Sequence, residues 1–213
     1  MREAQVAQLV PSKRQPRGTD RRRVRHDDEV PETEALISVD VEASGPTPST
    51  GSLIAIGACR VDRPQLTFYR ELRPQTGIAW DDRTESAHGL TREYLADHGV
   101  DPAEAIRNLA DWIESVREGR NPVMVGVNVA FDWMFLADYL WRYTGRNPFG
   151  IAPLDLKSLF MGRYGVRHWS ETGKRNMLEK VTVDLPHTHH ALDDALMQAR
   201  ICAQLLETPA EPR

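Results

Sequence analysis

The apolar positions change pattern near Ala35. Residues 1 to about 33 show no hydrophobic periodicity, whereas Leu36-Ile37-Ser38-Val39-Asp40-Val41-Glu42 reads as a strand. Ser52 to Val61 (SLIAIGACRV) predicts a second strand after a Gly/Pro/Ser/Thr turn, and Gln65 to Leu72 predicts a third after Asp62-Arg63-Pro64. Such short connections predict an antiparallel meander. Asp101 then opens a helix, with Pro102 at its first position, Glu104 at capping-box spacing, and Ile106, Leu109, Ala110 and Ile113 as its apolar stripe. The continuous run Val123 to Val127 predicts a central strand covered on both faces. Further helices are predicted over about 130–143, from near Asp155, and over about 190–206, the last with Leu192, Ala195, Leu196, Ala199 and Cys202 on one face. Three antiparallel strands followed by alternating helix and strand predict an α/β domain over 34–207, with a mixed central sheet flanked by helices.

Composition fits one such domain. The chain has 213 residues, 40% of them hydrophobic and 27% charged, which suits a packed core and rules out wholesale disorder. No apolar run approaches the ~18 residues of a membrane span. Cys59 and Cys202 alone make neither a disulfide framework nor a zinc site. Both stand in apolar runs and read as buried thiols, which suits a cytoplasmic setting. The net charge of −4 is unevenly spread. Residues 1–26 carry eight Lys/Arg and two acids, so the remainder carries −10. Residues 1–33 are thus expected to be a disordered basic tail, with Arg21-Arg22-Arg23-Val24-Arg25 either a solvated leader or able to touch phosphate or anionic lipid, and 208–213 a short C-terminal tail. No apolar segment of signal-peptide type follows those arginines, and Asp27-Asp28-Glu29 argues against a transit peptide.

The acids carry the candidate chemistry. Asp40 and Glu42 lie two apart on a strand, so both can face one site. Two carboxylates on one face repel each other unless a cation lies between them, although a strand end in water would accommodate them equally. Asp132 follows the central strand and stands in the first turn of a helix, at the crevice where open α/β sheets place ligands. Asn128 precedes it in the connecting turn. His187, His189 and His190 then lead into Asp193 and Asp194 at the start of the last helix. Each feature alone has a bland reading as a turn or helix-start residue. Together, four carboxylates at the ends of buried elements with a histidine nearby suit hard divalent cations. Two such ions can clamp a phosphodiester displacement, with a histidine taking the proton of the attacking water.

These segments resemble the DEDDh family of 3′→5′ exonucleases, which includes proofreading subunits, ribonuclease T and oligoribonuclease on a ribonuclease H-like fold. The first family motif corresponds to Asp40-Val41-Glu42-Ala43-Ser44-Gly45, the second to Asn128 through Phe131-Asp132, and the third to His189 and Asp194. Of the seven histidines only His189 has Asp five positions on, which selects it over His190 and selects Asp194 over Asp193. Ala87-His88-Gly89-Leu90-Thr91 resembles the family's His-Gly-Ile/Leu turn. The family's common Thr after the first Glu is Ala43 here, leaving Ser44 as the candidate hydroxyl. The resemblance implies that Asp40, Glu42, Asp132 and Asp194 hold two Mg²⁺ or Mn²⁺ and that His189 is the general base. It also implies that groups near Val41 to Ser44, with His88 and Asn128, seat the 3′ end, and that a nucleoside 5′-monophosphate is released. The implied partners are single-stranded DNA or RNA, or short oligonucleotides. Dimerisation is frequent among the family's ribonucleases, so a homodimer is one open assembly. Two rivals stand beside this reading: a binding module that keeps the fold without turnover, and another metal-dependent phosphodiesterase.

Overall fold

In the computed structural model, which describes residues 33–183 and 189–207, five strands form one sheet. They are β1 (Glu34–Ala43), β2 (Leu53–Arg60), β3 (Thr67–Glu71), β4 (Asn121–Gly126) and β5 (Leu154–Asp155), in the order β3-β2-β1-β4-β5. β1 pairs antiparallel with β2, and β2 with β3, while β4 runs parallel to both β1 and β5. This is the mixed sheet that the apolar runs predicted, with the two-residue β5 added at one edge. The expected tail, the C-terminal residues after 207 and His187 lie outside the described residues.

The alternation of β1 sorts its side chains onto two cores. Ile37, Val39, Val41 and Ala43 face a cluster built with α3 (Pro102–Arg117) and α4 (Ala130–Thr144). The even-numbered residues face the opposite layer, where Val125 packs with residues of α5 (Leu156–Arg163), α6 (Lys174–Leu178) and α7 (Ala191–Glu207). Cys59 and Cys202 are fully buried free thiols, and burial pushes both up to about 12.

Two features differ from the sequence reading. Residues 73–100, of which the sequence marks only 87–91, as a turn, contain α1 (Asp82–His88) and α2 (Arg92–His98), capped by Asp81 and Thr91. At seven residues each they are too short to show a period, and α2 is anchored to the core by the buried Leu95. The buried face of α7 is also rotated from the expected stripe. Ala195, Ala199 and Cys202 are buried, but Leu192 and Leu196 are only partly so, while Asp194 and Gln198 lie within the buried face. Among the described residues no helix is long and apolar enough to cross a membrane.

Candidate active site

β1 outruns its parallel neighbour. Its pairing with β4 ends at Ser38–Val125, and Asp40 and Glu42 project beyond that point from the face covered by α7. The Val41 N–H, left without a strand partner on this side, donates to Asp132 Oδ1 at 2.9 Å. Asp132 comes from the first turn of α4, and this bond fixes its carboxylate against the strand edge.

α7 approaches the sheet closely because two strand positions lack a side chain. A Cβ on Gly57, the residue paired with Asp40, would lie 2.2 Å from the Ala191 carbonyl carbon and the Leu192 nitrogen. A Cβ on Gly126 would lie 2.9 Å from Gln198 Oε1. The approach brings Asp194, in the first turn of α7, to β1: carboxylate oxygens of Asp40, Glu42 and Asp194 all lie within 4.8 Å of one another. Asp132 faces the same cleft but is not one of this close trio.

The cleft measures about 410 Å³ and opens to solvent. Asn128, Phe131, Lys174, His189 and Gln198 complete its wall around the four acids. Lys174 Nζ stands 3.3 Å from Asp194 Oδ1. Four carboxylates thus share the cleft with one ammonium. Burial, then the charges of Asp132, Glu42 and Asp194, push Asp40 well above the usual carboxylate range, with Lys174 pulling the other way. Burial, then Asp194 and Asp132, push Glu42 up to about 8. Burial pushes Asp132 up to about 7 against the lowering effect of the Val41 N–H. An all-oxygen donor set that repels itself in this way suits a hard divalent cation.

The backbone is strained at the same place. Of the three described non-glycine residues with positive φ, Asn128 (58°) and His189 (52°) both line the cleft. Left-handed residues cost ~1–3 kcal/mol unless their surroundings hold them. For His189 the support comes from the next residue, His190, whose ring stacks on Tyr69 at 4.4 Å and whose carbonyl accepts from Asp194 N–H.

The remaining residues expected at the site fall differently. Val41 borders the cleft, but its N–H is committed to Asp132. Ser44 is fully buried away from the cleft wall, and its Oγ accepts from Ser52 N–H at 2.8 Å, closing the β1–β2 loop. His88 ends α1 and lies outside the cleft wall. Its Nδ1 accepts from Leu90 N–H, which puts its proton on Nε2, a buried atom with no hydrogen-bond partner. Burial lowers its pKa, and a charge on His189 adds to that lowering while Glu85 opposes it. Gln198 was absent from the sequence reading. Its Nε2 donates to Asp40 Oδ1 at 2.6 Å, and its Oε1 accepts from Val127 N–H at 2.7 Å. It lies four residues after Asp194, one helical turn further along the same face, and that spacing is the only signal the sequence carries for it.

Comparison with known proteins agrees with this geometry. Residues 35–206 match the 3′-5′ exoribonuclease Rv2179c-like domain. The 3′-5′ DNA exonuclease Cap18 of Escherichia coli is 39% identical over 173 residues, 79% of this chain and 89% of that protein. The nuclease domain of 3′hExo, a DEDDh family member bound to rAMP, superposes with a TM-score of 0.65 at 20% identity, over 84% of this chain and 94% of that one. E. coli exonuclease I in complex with a dT13 oligonucleotide gives a TM-score of 0.62 at 16% identity, over 84% of this chain and 42% of that one. The sheet, the extent of the match and the close relative place the chain in one family: it belongs to the Rv2179c-like 3′-5′ exoribonuclease domain family and is a 3′–5′ exonuclease on the DEDDh, ribonuclease H-like fold.

Proposed function

We propose that the cleft between α4 and α7 hydrolyses the last phosphodiester of a single-stranded nucleic acid and releases a nucleoside 5′-monophosphate. The observation that carries this is the convergence of the Asp40, Glu42 and Asp194 carboxylates within 4.8 Å, beside Asp132 and His189. In this reading Asp40, Glu42, Asp132 and Asp194 hold two Mg²⁺ or Mn²⁺. Such ions, when bound, supply the positive charge that offsets the carboxylates and the charge developing on the attacking and leaving oxygens. His189 takes a proton from the attacking water. The water oxygen forms a bond to phosphorus, and the bond from phosphorus to the 3′-oxygen of the preceding nucleotide breaks, that oxygen taking a proton from solvent to become the new 3′-hydroxyl. Gln198 keeps Asp40 from rotating by occupying Oδ1, and the Val41 N–H does the same for Asp132. Asn128 on the wall seats the terminal nucleotide; His88, with its Nε2 buried, and Ser44, fully buried in the β1–β2 loop, stand back from that wall.

The relatives' names differ in the sugar, one a ribonuclease family and one a DNA exonuclease, so the test carries both strands. Products from RNA and DNA are separated chromatographically, with Mn²⁺ and with chelator. The expected result is 5′-mononucleotides released from the 3′ end in Mn²⁺ alone. Internal fragments would favour another phosphodiesterase, and bound but intact strands would favour a binding module.

A further inference from the structure

The acidic character of the domain reverses beside the cleft. Over 156–180 the chain carries Lys157, Arg163, Arg167, Lys174, Arg175 and Lys180 against only Glu171 and Glu179, a net +4 within a chain of net −4. This segment is α5, a single 3-10 turn (Trp169–Thr172) and α6, and it reaches the active site through Lys174, which lines the cleft. Trp169 keeps 51% of its surface exposed in that turn, and Lys157 Nζ sits 4.2 Å from the centre of its ring. Arg167 and His168, just before it, are exposed. A large aromatic ring left at the surface among cations, five residues before a lysine of the cleft wall, combines the two features that bind single strands. The ring stacks a base of any identity and the cations track the phosphates.

We propose that α5, the Trp169 turn and α6 form a track for the strand upstream of the scissile nucleotide, so that the enzyme favours a polynucleotide over a dinucleotide. The proposal rests on the exonuclease reading above. Trp169 stacks one base, Lys157 and Arg167 bind phosphates, and the strand enters the cleft past Lys174. The local +4 answers the difficulty set by the acidic domain, which by itself steers a long polyanion poorly.

The test uses the full chain and its variants Lys157→Glu, Arg167→Glu, Trp169→Phe and Trp169→Ala, none of which touches the cleft wall. Binding of a fluorescein-labelled thymidylate strand of about 20 nucleotides is read by anisotropy in chelator, and hydrolysis of that strand and of a thymidylate dinucleotide is read in Mn²⁺. Trp169→Ala should weaken strand binding roughly fivefold or more, with Trp169→Phe recovering most of it. Each charge reversal should weaken binding and flatten its salt dependence, by ~0.7 in the log–log slope for each phosphate no longer neutralised. Dinucleotide hydrolysis should be unchanged in all four. Strand affinity equal to that of the wild type, or equal reductions on strand and dinucleotide, would overturn the track. If the wild type hydrolyses no dinucleotide and no strand, it is the exonuclease reading that fails, and the binding comparison still decides the track.

Discussion

At the scale of single residues, the cleft divides, under the proposed hydrolysis, into groups that would hold cations, a group that would move a proton, and groups that would aim the others. Asp194→Asn removes one of the three close carboxylates. Activity should fall to background while the fold survives, with the circular dichroism spectrum unchanged because charge alters and shape does not. His189→Ala should cost about 10²–10⁴-fold in kcat, the usual contribution of a general base. His190→Ala should be milder, acting only by removing the stack on Tyr69. If His190→Ala proved the more damaging, the base would be misassigned. Gln198→Leu is the sharper test of aiming. It leaves Asp40 Oδ1 and the Val127 N–H without their partner. Removing such a supporting partner typically costs 10–100-fold in metal affinity or activity. The Mn²⁺ concentration for half-maximal activity should therefore rise, and an unchanged metal requirement would show that Gln198 only packs.

At the scale of elements, the site is a consequence of where strands stop and helices begin. β1 continues past the end of β4, and the free edge that results is where Asp132 docks. α7 delivers Asp194 because Gly57 lets its first turn lie against β2. Gly57→Ala should push α7 outward, since overpacking costs ~1–3 kcal/mol, and Asp194 should leave the trio with it. The expected result is a lower melting temperature together with an exonuclease loss larger than that stability change explains. Full activity in a stably folded Gly57→Ala protein would contradict this packing. The same features explain what the sequence disclosed. Asp40 and Glu42 were legible because strand alternation is independent of the rest of the fold, and Asp132 because a buried apolar run marks its own end. The caps of α1 and α2 carried too little periodicity to be read. That Ser44 lies apart from the cleft wall was not legible, because a hydroxyl's partner, here Ser52 N–H, depends on how a loop closes. Gln198 was hidden because a glutamine on a helix announces nothing until Asp40 is seen beside it.

At the scale of the whole molecule, the clustered acids couple folding to pH. Glu42 and Asp132 are raised to about 8 and about 7 in the folded protein. Unfolded carboxylates titrate near ~4, so between these values the metal-free folded state binds more protons than the unfolded chain. Their contribution is complete below about pH 4 and is lost as pH rises through 7 to 8. In chelator, Glu42→Gln should therefore gain stability relative to the wild type as pH is raised over that interval, read from denaturant midpoints. A stability difference independent of pH would contradict the burial and mutual repulsion of the acids on which the cation argument rests. Whether this cleft is a metal-dependent hydrolytic site working from the 3′ end can be decided on one gel. Strands labelled at the 5′ end are incubated with wild type and with Asp40→Asn, in Mn²⁺ and in chelator. The wild type in Mn²⁺ should give a ladder shortening from the 3′ end, and the other three lanes should hold intact strand. A ladder that persists in chelator, or in Asp40→Asn, would show that the four acids are not the hydrolytic centre.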